Sequence, residues 1–142
     1  MKKYAYGVDI GGTTIKMGFF DTMGELIDTW EIPTRTENGG ELILSDIAKA
    51  IEENNTKNSI TNDDVEGIGM GVPGPVGEDG TVFKCVNLGW GVFNVETTLS
   101  DLCGGSEPPI IPKAYPSNRS IRRWIGSQRT SIKFVHEYNL DG

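Results

Sequence analysis

Residues 4–16 run Tyr4-Ala5-Tyr6-Gly7-Val8-Asp9-Ile10-Gly11-Gly12-Thr13-Thr14-Ile15-Lys16, a strand–turn–strand pattern on which the rest of the fold is built. Tyr4, Tyr6, Val8 and Ile10 alternate with Ala5, Gly7 and Asp9, the period of two that a half-buried strand requires. Gly11-Gly12 is a hairpin dipeptide, and Ile15, Met17 and Phe19 resume the alternation beyond it. Met23-Gly24 turns the chain into a third run, Leu26 to Ile32, so the start of the chain reads as an antiparallel meander. Pro33 and Asn38-Gly39-Gly40 break the pattern. From Glu41 onward Ile43, Ile47 and Ile51, with Leu44 and Ala48, recur at helical spacing, which predicts a helix of about three turns ending near Asn54-Asn55.

Val65 to Val72 reads as a buried strand, and Pro73-Gly74-Pro75 must turn, since proline fixes φ and removes donors while glycine frees the corner. A short strand or hairpin is expected over Val76 to Val86, turning at Asp79-Gly80. Asn94 is placed to cap a helix carrying Val95, Leu99 and Leu102 on one face up to Gly104-Gly105. The order β-β-β-α-β-β/β-α is that of an α/β lobe.

The whole chain has 142 residues and 15.5 kDa, the size of one ordinary domain. Hydrophobic residues at 37% suffice for a core, and 19 glycines, about twice the usual share, point to tight turns and close backbone approaches. A net charge of −7 with pI near 4.7 excludes a protein that coats nucleic acid or anionic membrane through its whole surface. No apolar run has the length of a membrane span, and Met1-Lys2-Lys3 leads into a segment broken by Gly7 and Asp9, so the chain is expected to be soluble and cytoplasmic. Cys85 and Cys103, with His136 as the single histidine, make no zinc set.

Asp9-Ile10-Gly11-Gly12-Thr13-Thr14-Ile15-Lys16 puts a carboxylate at the end of a strand, then two glycines, two hydroxyls and an ammonium. Glycines let backbone N–H groups approach an oxyanion, hydroxyls add donors, Asp9 suits Mg²⁺ directly or through water, and Lys16 adds a point charge. A plain Gly-Gly hairpin accounts for the same residues equally well. No GxxxxGK[ST] occurs, so a P-loop is excluded. Gly69-Met70-Gly71-Val72-Pro73-Gly74 fits GxGxxG formally, but a dinucleotide motif must open a helix at its last glycine, and Pro75 and the turn-like residues after it do not.

Three segments together resemble the amino-terminal half of the ROK (repressor, open reading frame, kinase) family, in particular its bacterial glucokinases. They are Asp9-Ile10-Gly11-Gly12-Thr13, Gly67 to Pro75 (Gly-Ile-Gly-Met-Gly-Val-Pro-Gly-Pro) and Val86-Asn87-Leu88-Gly89-Trp90. The resemblance spans residues 1–105 and implies the amino-terminal lobe of an actin-like ATPase fold of ribonuclease H type, a mixed sheet with flanking helices. It further implies ATP and Mg²⁺ in a cleft beside a hexose, glucose first among them, and a homodimer in the full-length family. Asp9, Gly11, Gly12 and Thr13, with Thr14 and Lys16, would form the phosphate motif, and Asp9 would serve Mg²⁺. Many relatives carry Lys where this chain has Thr14. Gly74 would lie against the sugar through its backbone, with Asn87 lining the same pocket.

The rest of the chain departs from that pattern. Residues 1–105 hold 7 Lys/Arg against 17 Asp/Glu, whereas residues 106–142 hold 6 against 3 and four of the seven prolines. The family's Gly-Asn-Asp-Ala-Asn-like motif, whose aspartate is the general base, has no counterpart here, nor do its zinc motif and second phosphate loop. Neither Asp101 nor Asp141 stands in such a motif. No catalytic residue is therefore assigned. Residues 106–142 are expected to be a basic, Pro-containing tail of foreign, frameshifted or disordered character outside the lobe. Arg119, Arg122, Arg123, Arg129 and Lys133 with Trp124 and Phe134 form an acid-free stretch suited to phosphates and bases, but nucleic acid is an unlikely partner beside a solvated or out-of-frame ending. The expected function is ATP-dependent phosphorylation of a hexose, by a chain that has little activity alone. The alternatives are a non-catalytic lobe binding nucleotide, sugar or a protein partner, and a fragment that aggregates through its open cleft face.

Overall fold

The computed structural model describes residues 3–72, 81–82, 88–102, 116–127 and 136–137. Strands β1 (Tyr4–Ile10), β2 (Thr14–Asp21) and β3 (Leu26–Pro33) form the expected meander. A short turn α1 (Glu37–Gly40) and helix α2 (Ile43–Lys57) follow, and β4 (Val65–Val72) returns beside β1 in parallel. Strand β5 (Thr81–Val82) pairs antiparallel with β6 (Phe93–Asn94), which leads into α3 (Val95–Leu102). Helix α4 (Pro116–Ser127) and β7 (His136–Glu137) complete the described chain. The main sheet is mixed, in the order β3-β2-β1-β4-β7, with β3 at one edge.

Alternation along the strands sorts side chains onto two faces. Tyr6, Val8 and Ile10 of β1, Ile15, Met17 and Phe19 of β2, and Ile68, Met70 and Val72 of β4 join Ile43, Leu44, Ile47 and Ile51 of α2 in the main core. Leu88, Trp90 and Leu99 close that core at one end. Leu99 is fully buried, as its helical spacing predicts, whereas Leu102 on the same helix is 47% exposed.

Helix α2 runs past Asn54-Asn55, where the sequence suggests a stop, to Lys57. The two asparagines are buried partners of Tyr6. Asn54 Nδ2 donates to the Tyr6 hydroxyl at 3.0 Å, and that hydroxyl donates to Asn55 Oδ1. Asn58 then ends the helix, its N–H reaching the carbonyls of Asn54 and Asn55. The tertiary bond overrides the turn preference of asparagine.

The second face of the sheet carries Ala5, Gly7 and Asp9 of β1 and Lys16, Gly18 and Phe20 of β2. Helix α4 packs there, burying Ile121, Trp124 and Ile125 against Ala5 and Phe20. The composition of residues 106–142 reads as a break, yet Ile121, Trp124 and Ile125 have the i, i+3, i+4 spacing of an amphipathic helix. Pro116 stands at its first position, where a missing N–H is tolerated. Trp124 is thus held in the interior, while Arg119, Arg122 and Arg123 are exposed.

Among the described residues no helix is long and apolar enough to cross a membrane. Most of the expected Val76 to Val86 hairpin, Asp79-Gly80 included, lies outside the described residues, as do Cys85, Cys103, Arg129, Lys133, Phe134 and Asp141.

Candidate functional site

The turn between β1 and β2 forms the candidate site. The sequence places Gly11-Gly12 at its tip, but the structure shifts the tip by one residue. Gly11 N–H donates to Thr14 O at 3.0 Å, so these two residues close the hairpin and Gly12-Thr13 is the loop. Neither Gly11 nor Gly12 has a positive φ. Glycine is needed at position 11 for close approach instead, because a Cβ there would stand 2.8 Å from Thr14 O.

Asp9 lies one residue before the end of β1, paired with Lys16 of β2 on one side and with Gly71 of β4 on the other. Lys16 in turn pairs with Glu31 of β3. Directly opposed residues of neighbouring strands share a face, so a row Gly71–Asp9–Lys16–Glu31 crosses the second face of the sheet beside the turn. Asp9 is buried at 6% exposure, whereas Lys16 and Thr14 are half-buried and Gly12 and Thr13 are exposed. The next row along the strands is Gly69–Gly7–Gly18. It presents bare backbone, and the Trp124 ring covers Gly7 and Gly18. Gly69 and Gly71 lie within β4, and Gly74, the last glycine of the formal dinucleotide pattern, lies outside the described residues.

Thr34, which the sequence reading does not single out, touches the turn twice. Its N–H donates to Thr13 O at 2.9 Å and its hydroxyl to Gly11 O at 2.7 Å. Pro33 pairs with Thr14 on the edge strand, where its missing N–H breaks no ladder bond, and Thr34 carries the pairing one step further. Arg35 follows and is anchored on α2, its guanidinium bonding both carboxylate oxygens of Asp46 at 2.7 and 2.6 Å. The hydrogen bond and charge of Asp46 raise the Arg35 pKa further above its ordinary value.

The same connection reaches the segment after residue 87. Gly40 N–H donates to Thr36 O, and Trp90 Nε1–H donates to Gly40 O at 3.1 Å. Asn38, Gly39 and Gly40 all have positive φ, and Gly89 approaches Gly39 backbone to backbone. Gly74 and Asn87, the candidate sugar contacts, lie outside the described residues. Among the described residues no group of three His, Cys, Asp or Glu side chains is placed to hold a metal. Asp101 is exposed on α3.

Chemically, the turn offers backbone N–H groups and two hydroxyls beside a buried carboxylate and an ammonium. Magnesium is commonly held by one or two carboxylates together with water and substrate phosphates, and the single carboxylate of Asp9 fits that donor set.

The chain is similar to several known sugar kinases. The chain is 42% identical over 100 residues to the glucokinase of Halalkalibacterium halodurans, a match covering 70% of this chain and 30% of the relative. It is 41% identical over 70 residues to the N-acetyl-D-glucosamine kinase of Aliivibrio fischeri, covering 49% and 21%. Among solved structures, the ROK family glucokinase of Streptomyces griseus, in complex with glucose and AMPPNP, superimposes with a TM-score of 0.59 at 28% identity, covering 71% of this chain and 30% of that one. The ROK hexokinase of Thermus thermophilus gives 0.59 at 30% identity, covering 71% and 32%. The chain thus spans about a third or less of the length of these relatives. The ROK family sequence model matches residues 5–105, and with its mixed sheet and flanking helices in the actin-like ATPase fold, the chain belongs to the ROK family.

Proposed function

We propose that the chain is the phosphate-binding lobe of a sugar kinase that transfers the γ-phosphoryl group of ATP to the 6-hydroxyl of glucose or a related hexose. The observation that carries this reading is the burial of Asp9 one residue from the strand end, beside the Gly11–Thr14 turn and in register with Lys16. ATP as donor is supported by the AMPPNP-bound relative, and a hexose by the glucose-bound one.

In the reaction the sugar oxygen bonds to the γ-phosphorus as the bond from that phosphorus to the β–γ bridging oxygen breaks. ADP leaves, and the hydroxyl proton passes to a base. Bound Mg²⁺ would neutralise charge on the phosphate oxygens. Asp9 would hold it directly or through water, while the N–H groups of Gly12, Thr13 and Thr14 and the hydroxyls of Thr13 and Thr14 would donate to the phosphates. Gly11 N–H is spent on Thr14 O and contributes nothing to that set. Lys16 would add positive charge, and Gly74 and Asn87 would border the sugar.

Titration calorimetry with Mg·ATP and, separately, with glucose tests the reading. Asp9→Asn is expected to weaken Mg·ATP by about tenfold, the value of one charge-assisted contact, and to leave glucose affinity unchanged. Equal Mg·ATP affinity in both proteins would reject it.

A second reading, a binding lobe without turnover, is favoured for these 142 residues by the lack of the general-base motif. A positioned base contributes about 10²–10⁴-fold. A coupled assay with glucose and ATP is therefore expected to show no turnover at ordinary enzyme rates, and such turnover would overturn this second reading.

A further inference from the structure

We propose that Thr34 is a positioning residue for phosphate, orienting the N–H groups of Gly12 and Thr14 by holding the carbonyls that precede them. The proposal rests on the reading of the β1–β2 turn as the phosphate cradle.

A trans peptide points its C=O and the following N–H in opposite directions. Every described peptide bond is trans. The carbonyl of Gly11 belongs to the same peptide plane as Gly12 N–H, and that of Thr13 to the same plane as Thr14 N–H. Thr34 holds both carbonyls, one through its hydroxyl at 2.7 Å and one through its N–H at 2.9 Å. Both oxygens are thereby drawn toward the β3 end, and both N–H groups are turned away from it. If either plane rotated, a carbonyl oxygen would face the phosphate in place of a donor, and the contact would become repulsive.

The neighbours of Thr34 make it a fixed point. The pairing of β2 with β3 runs on past Pro33 to the bond from Thr34 N–H to Thr13 O, while Thr14 O faces β1 and accepts from Gly11 N–H. Arg35 is clamped by two hydrogen bonds to Asp46 on α2, and Gly40 is fixed to Trp90 further along. The segment from residue 34 to residue 40 is therefore tied at both ends, and Thr34 is where it meets the turn.

The test uses the ¹⁵N-labelled chain with Mg·ATP as probe. Thr34→Val removes the hydroxyl but keeps the shape and the N–H, Thr34→Ser keeps the hydroxyl, and Thr29→Val removes a comparable β3 hydroxyl, which donates to Met17 O at 3.0 Å away from the turn. The Mg·ATP dissociation constant is expected to rise about fivefold in Thr34→Val, the value of one neutral hydrogen bond, and to stay near wild type in Thr34→Ser and Thr29→Val. Wild-type affinity in Thr34→Val, or a serine variant no better than the valine one, overturns the proposal. If the wild-type chain binds no Mg·ATP, the donor reading itself fails. The hold of Thr34 on the turn is then judged by amide exchange at Gly11, about fivefold faster in Thr34→Val and unchanged in Thr34→Ser. Equal Gly11 exchange in wild type and Thr34→Val overturns that hold as well.

Discussion

The indole of Trp124 covers Gly18 so closely that a Cβ on the glycine would stand 3.2 Å from the ring. The same Cβ would lie 2.8 Å from Phe20 Cε1, and one on Gly7 would lie 3.1 Å from the indole. The glycines of β1 and β2 thus make a flat floor, and α4 supplies the side chain that fills it. Gly18→Ala is expected to destabilise by about 1–3 kcal/mol through overpacking. Trp124→Ala is expected to cost about 3–5 kcal/mol by opening a cavity. Urea unfolding followed by far-UV circular dichroism measures both, with exposed Arg123→Ala as a control within about 0.5 kcal/mol. Because the methyl gains room once the indole is gone, the double variant should be more stable than the sum of the single effects predicts. Additive effects would show that α4 does not rest on this floor.

A second prediction concerns the contact between Gly40 and Trp90. Gly40 has φ of +68°, and a Cβ there would collide with the carbonyl oxygen of Leu88. Gly40→Ala therefore combines left-handed strain of about 1–2 kcal/mol with backbone displacement of residues 88–90. Trp90→Phe keeps most of the buried ring and removes the donor to Gly40 O, costing about 1–3 kcal/mol. Unfolding midpoints compare the two variants with wild type. Gly40→Ala should also move the amide resonances of Leu88 to Trp90, and if they stay in place the two segments are not coupled.

The Gly11→Ala variant separates the close-approach role of that glycine from simple turn flexibility. A Cβ at position 11 would press on Thr14 O, the acceptor of its own N–H. The hairpin must open for it. Mg·ATP binding is expected to weaken by about tenfold or more, with a loss of stability of about 1–3 kcal/mol. Gly12→Ala, at an exposed loop position without positive φ, should be milder in stability. Calorimetry and urea unfolding on the two variants decide the matter, and equal effects on stability would remove the special role of Gly11.

What the sequence discloses, and what it hides, follows from range. The strands Tyr4–Ile10 and Thr14–Asp21 are legible because strict alternation is a local signal, and Asp9 and the glycine turn stand out because their chemistry is contiguous. Asn54 and Asn55 mislead because their partner, Tyr6, lies 48 and 49 residues away. The helix at Pro116–Ser127 is visible in the spacing of Ile121, Trp124 and Ile125, but the proline and arginine content around it reads as a tail. Thr34 is hidden for the same reason as the asparagines. A threonine after a proline carries no pattern of its own, and its acceptors Gly11 and Thr13 are 23 and 21 residues upstream.

The buried Tyr6 hydroxyl ties the stability of the fold to pH in the alkaline range. Burial, only partly offset by the Asn54 hydrogen bond, pushes its pKa from 10.0 to about 12. A tyrosine that titrates later when folded than when unfolded favours the folded state while it is protonated. Its contribution is complete below pH 10, declines as the unfolded chain begins to ionise, and is gone once the pH has risen through about 12. Two pKa units correspond to a change on the order of 2–3 kcal/mol across that interval. Tyr6→Phe removes the titration and should unfold with a weaker dependence on pH between 10 and 12. It also leaves Asn54 Nδ2 and Asn55 Oδ1 without their shared partner, so at pH 7 it should be less stable by about 1–3 kcal/mol. The stability curves of the two proteins should therefore converge as the pH rises. Parallel curves from pH 8 to 12 would mean that the hydroxyl ionises as easily in the folded protein as in the unfolded chain, and that the Tyr6–Asn54–Asn55 cluster is open to water.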